Sequence, residues 1–145
     1  DKMMYPLGKG NSNMKRALFE MEKSVMVDLA LSQNCVIVGR CSDYVLREYG
    51  ISDENMLNVF IYAPIDKRLH NCKEELNLDD PGEAYNYLTR VDKAREDFYR
   101  HYTKQKFFSN KYRHLLIDSS MADFDKVADI ITDTAKIKLG IKQAG

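Results

Sequence analysis

Residues 34–40, Asn-Cys-Val-Ile-Val-Gly-Arg, limit the possible folds of this chain more than any other stretch. The apolar, mostly β-branched run 35–39 is typical of a short strand that is buried on both faces. Arg40 follows the run immediately. Open α/β sheets bind ligands beyond the carboxyl ends of their strands, and a guanidinium there suits a phosphate or a carboxylate. A structural ion pair at the sheet edge is the alternative role for Arg40.

Two more apolar runs, Val59–Tyr62 and His114–Asp118, predict further strands. A helical pattern follows each of the three predicted strands. This alternation predicts an α/β fold, a three-layer parallel sheet with flanking helices. The predicted helices cover about 13–32, 43–48, 65–76, 81–103 and a final segment from Ser120 to Gly140. Asp80 as a cap and Pro81 at the first helical position predict the start of the fourth helix.

The spacing of apolar residues also predicts which helix faces point inward. In the first helix this face consists of Met14, Leu18, Met21, Val25 and Leu29. In the last helix it consists of Phe124, Val127, Ile130, Ile131 and Ile137. A capping-box-like pattern from Ser120 to Asp123 predicts the start of that last helix.

Composition narrows the function classes. The 145 residues include 22 basic and 22 acidic side chains, and a net charge of zero argues against a general nucleic-acid or membrane-surface binder. Three cysteines without CxxC spacing suggest free thiols in a reducing cytoplasm, with neither a disulfide framework nor a zinc site. No apolar run approaches membrane-spanning length. We therefore expect a cytoplasmic domain without nucleic-acid or membrane partners.

Several charged residues are candidates for anion binding. Asp92, Arg95 and Tyr99 lie three and four positions apart on the predicted fourth helix, so they share one face and Asp92 can orient Arg95. An ordinary surface ion pair is the alternative. Asp43 either favours the start of a short helix through the helix dipole or faces whatever Arg40 binds.

Two basic or glycine-rich stretches are less informative. Gly8–Ser12 contains a Gly-Lys-Gly pattern, but a P-loop needs a preceding buried strand, a different glycine spacing and Gly-Lys-Ser/Thr at the helix start. Residues 104–113 carry three lysines and one arginine without an acid. This segment is either a mobile solvated loop or one that orders when ATP binds.

Four stretches together resemble the cytidylate kinase-like branch of the nucleoside monophosphate kinases, and they occur in that family's order. They are Cys35–Arg40 with Asp43, Val59–Pro64 with Lys67 and Arg68, Val91–Arg95 with Phe98 and Tyr99, and Leu115–Ser120. Together with their flanking helices they span about residues 15–138.

The resemblance implies a P-loop nucleoside monophosphate kinase-like domain over residues 1–145, with a lid-like segment at about 77–113. Such an enzyme moves the γ-phosphoryl group of ATP to CMP, dCMP or another nucleoside monophosphate with Mg²⁺. The implied substrate-binding residues are Arg40, Asp43 and Arg68, the implied catalytic residues are Arg90, Asp92 and Arg95, and the implied turn near the ATP base is Asp118, Ser119 and Ser120. Positioning and positive charge supply most of the catalysis in this chemistry.

The sequence departs from that family at its start and after Arg40. Such kinases begin with a strand, a P-loop and a helix, and residues 1–145 contain none of them. Without that strand, which would lie between those at 35–39 and 58–62, two buried strand edges lack partners. We therefore expect a fragment, missing upstream residues or another element in the gap, and little or no kinase activity from this chain alone. Cys41 stands where such kinases place an Asp, which puts cytosine selectivity in doubt.

Two alternatives of another class stay open. A non-catalytic nucleotide- or phosphate-binding domain would keep Arg40 and Arg95 but lack phosphoryl transfer. A regulatory or interaction module would carry the same charges as a solvated surface.

Overall fold

The computed structural model describes residues 12–141, so the glycine-rich stretch at 8–11 lies outside the described residues. The helices are α1 (Ser12–Ser32), α2 (Ser42–Glu48), α3 (Ile65–Leu76), α4 (Pro81–Thr103) and α5 (Phe124–Leu139), and the strands are β1 (Val59–Tyr62) and β2 (Leu115–Asp118). The predictions of α2, α3, α4 and both of these strands are confirmed to within one residue. None of the helices described is long and apolar enough to cross a membrane.

The two strands pair in parallel, with Val59 opposite Leu115 and Tyr62 opposite Asp118. Parallel strands need a long crossover connection, and here α3 and α4 lie between them in the chain. The Asn58 carbonyl accepts hydrogen bonds from the backbone N–H groups of His114 (2.9 Å) and Leu115 (3.2 Å), which sets the register at the start of the ladder. The α/β class and the parallel pairing are thus confirmed.

The predicted strand at 35–39 is wrong for the described part of the chain. Residues 34–38 belong to no helix or strand, and the side chains of Val36 and Val38 are 92% and 87% exposed. A strand is stable only when neighbouring backbone groups satisfy its N–H and C=O groups. Within residues 12–141, the sheet contains only β1 and β2, so no strand pairs with this segment and the sheet does not reach three strands.

Contacts divide the described chain into two compact units. The first unit contains the residues up to Ser52 together with Lys93–Phe108, and the second contains Asp53–Asp92 together with the residues from Ser109 onward. Helix α4 therefore contributes its first half to the second unit and its last part to the first unit.

An aromatic cluster forms the core of the first unit. The buried residues are Phe19, Met26, Val27, Cys41, Val45 and Tyr99. The rings of Phe19 and Tyr102 stack with their centroids 3.7 Å apart. The predicted inward face of α1 is wrong, since Met14 and Met21 are 69% and 66% exposed. Apolar residues occur on several sides of α1, and the side that carries Phe19 packs against the aromatic partners.

The second unit has its own small core between α3 and the first half of α4. Its buried residues are Cys72, Ala84 and Leu88, surrounded by Leu69, Leu76, Leu78 and Tyr87. Asp80 caps α4 as the sequence predicts, because its carboxylate accepts the Glu83 backbone N–H at 2.7 Å.

Helix α5 begins later than predicted. Its N-cap is Asp123, whose carboxylate accepts the Lys126 N–H, so the capping box at Ser120 is wrong. Val127 is buried as predicted, whereas Phe124 and Ile137 are 72% and 83% exposed. Gly140 ends the helix with a φ of 63°, a left-handed conformation that glycine adopts without strain.

Candidate functional site

A left-handed turn carries Arg40 in the first unit. Gly39, Arg40 and Cys41 have φ angles of 75°, 53° and 57°. For a residue with a side chain this conformation costs roughly 1–2 kcal/mol. Backbone strain of this kind persists only where the surroundings impose it, and it is concentrated at functional sites. The turn at Arg40 is therefore a candidate functional site.

Buried neighbours hold this strained turn in place. The Ser42 N–H donates to the Gly39 carbonyl at 3.0 Å. Cys41 and Val45 are almost completely buried. Asp43 is 8% exposed, and its carboxylate accepts a hydrogen bond of 2.9 Å from the Tyr99 hydroxyl. The side chains that follow Arg40 are thus anchored in the core.

The Arg40 side chain has two contacts that fix its guanidinium. Its Nη2 lies 2.8 Å from Oε1 of Glu22 on α1. Its Cζ lies 5.2 Å from the ring centroid of Phe98, a cation–π arrangement. The side chain stays 38% exposed. Arg40 thus forms an ion pair, as the alternative reading of the sequence expected, and part of its side chain stays accessible.

A small cavity lies beside this guanidinium. Its volume is about 50 Å³, and its lining includes Lys15, Leu18 and Tyr102 beside the Arg40–Glu22 pair. Sites for small molecules usually have several hundred Å³, so this space is far smaller than a nucleoside needs.

Arg95 shares a helix face with the aromatic residues around Arg40. Phe98, Tyr99 and Tyr102 follow Arg95 at three, four and seven positions along α4, which is the spacing of one helix face. Phe98 contacts the Arg40 guanidinium and Tyr99 bonds Asp43, which anchors the turn. Three of the predicted site residues, Arg40, Asp43 and Arg95, therefore belong to neighbouring elements of the first unit.

The second unit joins two other predicted residues. Both carboxylate oxygens of Asp92 accept hydrogen bonds from the Arg68 guanidinium, at 2.7 and 2.8 Å. The hydrogen bonds that Arg68 donates to Asp92 raise the pKa of Arg68 above its ordinary value. A bidentate pair of this geometry fixes both side chains. Asp92 therefore holds Arg68. The spacing of Asp92 and Arg95 along α4 did not predict this pair.

Arg90 lines a groove of about 460 Å³ along the first half of α4. Its guanidinium lies 5.8 Å from the ring centroid of Tyr87. Asn86, Tyr87 and Glu83 contribute to the lining, and sequence reasoning did not select them. Their spacing from Arg90, at four, three and seven positions, is the signal that places all four on one face of α4.

The predicted turn after β2 satisfies its own polar groups. Asp118 Oδ1 accepts hydrogen bonds from the backbone N–H and the hydroxyl of Ser120, at 2.8 and 2.7 Å. The Ser119 N–H donates to the Tyr62 carbonyl at 2.8 Å. These bonds give the turn a defined shape at the carboxyl end of the sheet, where α/β folds bind ligands.

His114 forms an Asp–His pair that resembles a catalytic dyad. Its Nδ1 accepts the Asn58 backbone N–H at 2.9 Å, so Nε2 must carry the proton that it shares with Asp53 at 2.9 Å. Both ring nitrogens are thus used in structural bonds. His114 in this arrangement has no nitrogen to act as a general base.

Comparison with known protein families identifies the family of this chain. The model of the cytidylate kinase-like family matches residues 1–121. The chain belongs to the cytidylate kinase-like family. The matched range includes every predicted site residue, from Arg40 to Ser120. No curated protein matches this member of the family.

A solved structure shares the fold of this cytidylate kinase-like chain. It is the crystal structure of an uncharacterized protein from Eubacterium ventriosum ATCC 27560, which superposes with a TM-score of 0.74. The identity is 20%, and the alignment covers 97% of this chain and 80% of the other. At this identity the similarity establishes a common fold and carries no information on the reaction.

Proposed function

We propose that this chain binds the phosphate of a nucleoside monophosphate at Arg40, as the acceptor-binding part of an ATP-dependent phosphotransferase. The observation that carries the proposal is the strained, core-anchored turn that presents a partly exposed guanidinium. A planar guanidinium can donate two parallel hydrogen bonds to a phosphate. Membership of the cytidylate kinase-like family supports the same ligand class.

We propose that Arg95 places a second positive charge beside the transferring phosphoryl group. Phosphoryl transfer depends on positioning and on neutralising the charge of the equatorial oxygens. Arg95 lies on the α4 face that also contacts the Arg40 turn, so one helix can position both cations. We keep CMP and dCMP as the preferred acceptors, with another nucleoside monophosphate as the broader class.

We propose ATP and magnesium because the chain belongs to the cytidylate kinase-like family. Among residues 12–141, no three His, Cys, Asp or Glu side chains are grouped so that they could hold a metal ion. The residues described therefore do not form a magnesium cage of their own. The turn at Asp118–Ser120 remains our proposed contact for the ATP base, and Arg68, Asp92 and Arg90 remain proposed parts of the lid.

A second candidate is phosphate or nucleotide binding without transfer. The 145 residues contain no GxxxxGK[ST] pattern, which favours binding alone for this chain by itself. The two candidates predict the same Arg40 site and differ in turnover. Formation of CDP from ATP and CMP would show transfer, and we expect little or none from this chain alone.

Isothermal titration with CMP, dCMP, AMP and ATP tests the proposed binding. We expect CMP or dCMP to bind without ATP, and Arg40→Ala to weaken that binding about tenfold or more, because it removes a charge-assisted hydrogen bond. Arg100→Ala is the matched control, since Arg100 belongs to the same unit and pairs on the surface with Asp97 at 2.9 Å. Equal affinities of the wild type and Arg40→Ala would refute the site.

A further inference from the structure

Glu22 already binds the guanidinium that the proposed function assigns to phosphate. It approaches from α1, 18 positions before Arg40 in the sequence. The Oε1–Nη2 distance is 2.8 Å, and the Glu22 side chain is 24% exposed. We propose that Glu22 is an internal competitor that lowers the affinity of Arg40 for phosphate, a regulatory role that rests on the proposed function.

The geometry allows little freedom to avoid this competition. The Phe98 ring centroid lies 5.2 Å from the Arg40 guanidinium carbon, so the ring holds the plane of the guanidinium. Glu22 binds one edge of the same guanidinium. A phosphate bound to Arg40 would lie near the Glu22 carboxylate, and like charges at that separation repel. The anion must therefore displace Glu22 or bind beside its negative charge.

The surroundings of Tyr102 indicate that the charges of Glu22 and Arg40 lie close together. Its ring lies in the same cavity lining as Glu22 and Arg40. Burial raises the pKa of the Tyr102 hydroxyl, the Glu22 charge raises it further, and the Arg40 charge opposes this change. Both charges thus act, in opposite directions, on the same Tyr102 hydroxyl, so they lie close to each other beside α4.

The same pair also lines the small cavity beside α1. With Glu22 bound to Arg40, the adjoining space is about 50 Å³. Ligand sites for small molecules usually have several hundred Å³. Release of Glu22 is therefore the step that we assign to opening the site, and it links phosphate binding to α1.

The test compares Glu22→Gln with the wild type in calorimetric titrations of inorganic phosphate and of CMP. The amide keeps the size of the side chain and removes its charge, so we expect about fivefold tighter binding of both ligands, the scale of one partly exposed charge pair. Glu22→Ala should show the same direction. Asp28→Asn is the matched control, because Asp28 lies on the same helix and is exposed; we expect wild-type affinity from it.

The double variant Glu22→Gln/Arg40→Ala separates the two proposals. If Glu22 acts through Arg40, the gain from Glu22→Gln disappears when Arg40 is absent. Loss of binding in Arg40→Ala, together with unchanged or weaker binding in both Glu22 variants, overturns the competition and leaves the proposed function in place. Unchanged binding in Arg40→Ala, or no binding by either the wild type or Glu22→Gln, overturns both.

Discussion

Tyr99→Phe should destabilise the first unit, because it removes the hydroxyl that bonds the buried Asp43. The hydrogen bond is 2.9 Å long, and the two residues are 6% and 8% exposed. A hydrogen bond to a charged group contributes about 1.5–3 kcal/mol, and an acceptor left buried without this donor costs a similar amount. For a chain of this size, that loss corresponds to a fall in melting temperature of about 5–9 °C.

The effect should extend to ligand binding, since Asp43 anchors the turn that carries Arg40. A looser turn would no longer impose the left-handed conformation at Arg40, so the guanidinium would lose its fixed direction. We therefore expect Tyr99→Phe to weaken CMP binding in addition to lowering the free energy of unfolding.

Urea unfolding followed by circular dichroism measures the first effect. Tyr85→Phe is the control, because Tyr85 belongs to the same helix and is 54% exposed, and removal of its hydroxyl should change stability by less than about 0.5 kcal/mol. A cycle with Asp43→Asn isolates the pairwise energy. The reasoning is refuted if Tyr99→Phe and Tyr85→Phe unfold at the same urea concentration.

Three further outcomes can be measured directly. A thiol reagent should modify the exposed Cys35 in the native protein and Cys72 only after unfolding, because burial raises the pKa of the Cys72 thiol; equal labelling by peptide mass spectrometry would contradict this. Asp123→Ala should lower the melting temperature at neutral pH and have a smaller effect in acid. The bonds from Lys126 lower the pKa of Asp123, so its stabilising effect is present above the ordinary carboxyl pKa and is lost as the pH falls through the folded-state value. Nitrogen NMR should find the His114 proton on Nε2, and a neutral ring protonated on Nδ1 would exclude the bond from the Asn58 N–H.

Local sequence signals predicted most of the regular elements. Asp80 and Pro81 correctly marked the start of α4, and Gly140 marked the end of α5, because caps and turn residues act through bonds within a few positions. The Val59–Tyr62 run was read correctly as a strand because β2 lies beside it. The four stretches around the predicted site residues also identified the cytidylate kinase-like family, which the match to residues 1–121 confirms.

The wrong predictions concern segments whose structure depends on contacts with other elements of the chain. Residues 35–39 have the composition of a buried strand, yet Val36 and Val38 are exposed because no strand of residues 12–141 bonds to them. The apolar spacing of α1 selected the face with Met14, whereas Phe19 packs in the core. Spacing shows that a helix has an apolar face, but the neighbouring elements determine which face is buried.

The sequence by itself determined the α/β class, the family and Arg40 as a candidate anion ligand, because each depends on a local pattern or on motifs in a set order. Only the tertiary structure showed that Glu22 binds Arg40, that Tyr99 bonds Asp43, and that Asp92 holds Arg68. These pairs join residues that are 18, 56 and 24 positions apart. No local propensity acts over such separations, so the packing of the helices selects the partners and thereby the chemistry available at the site.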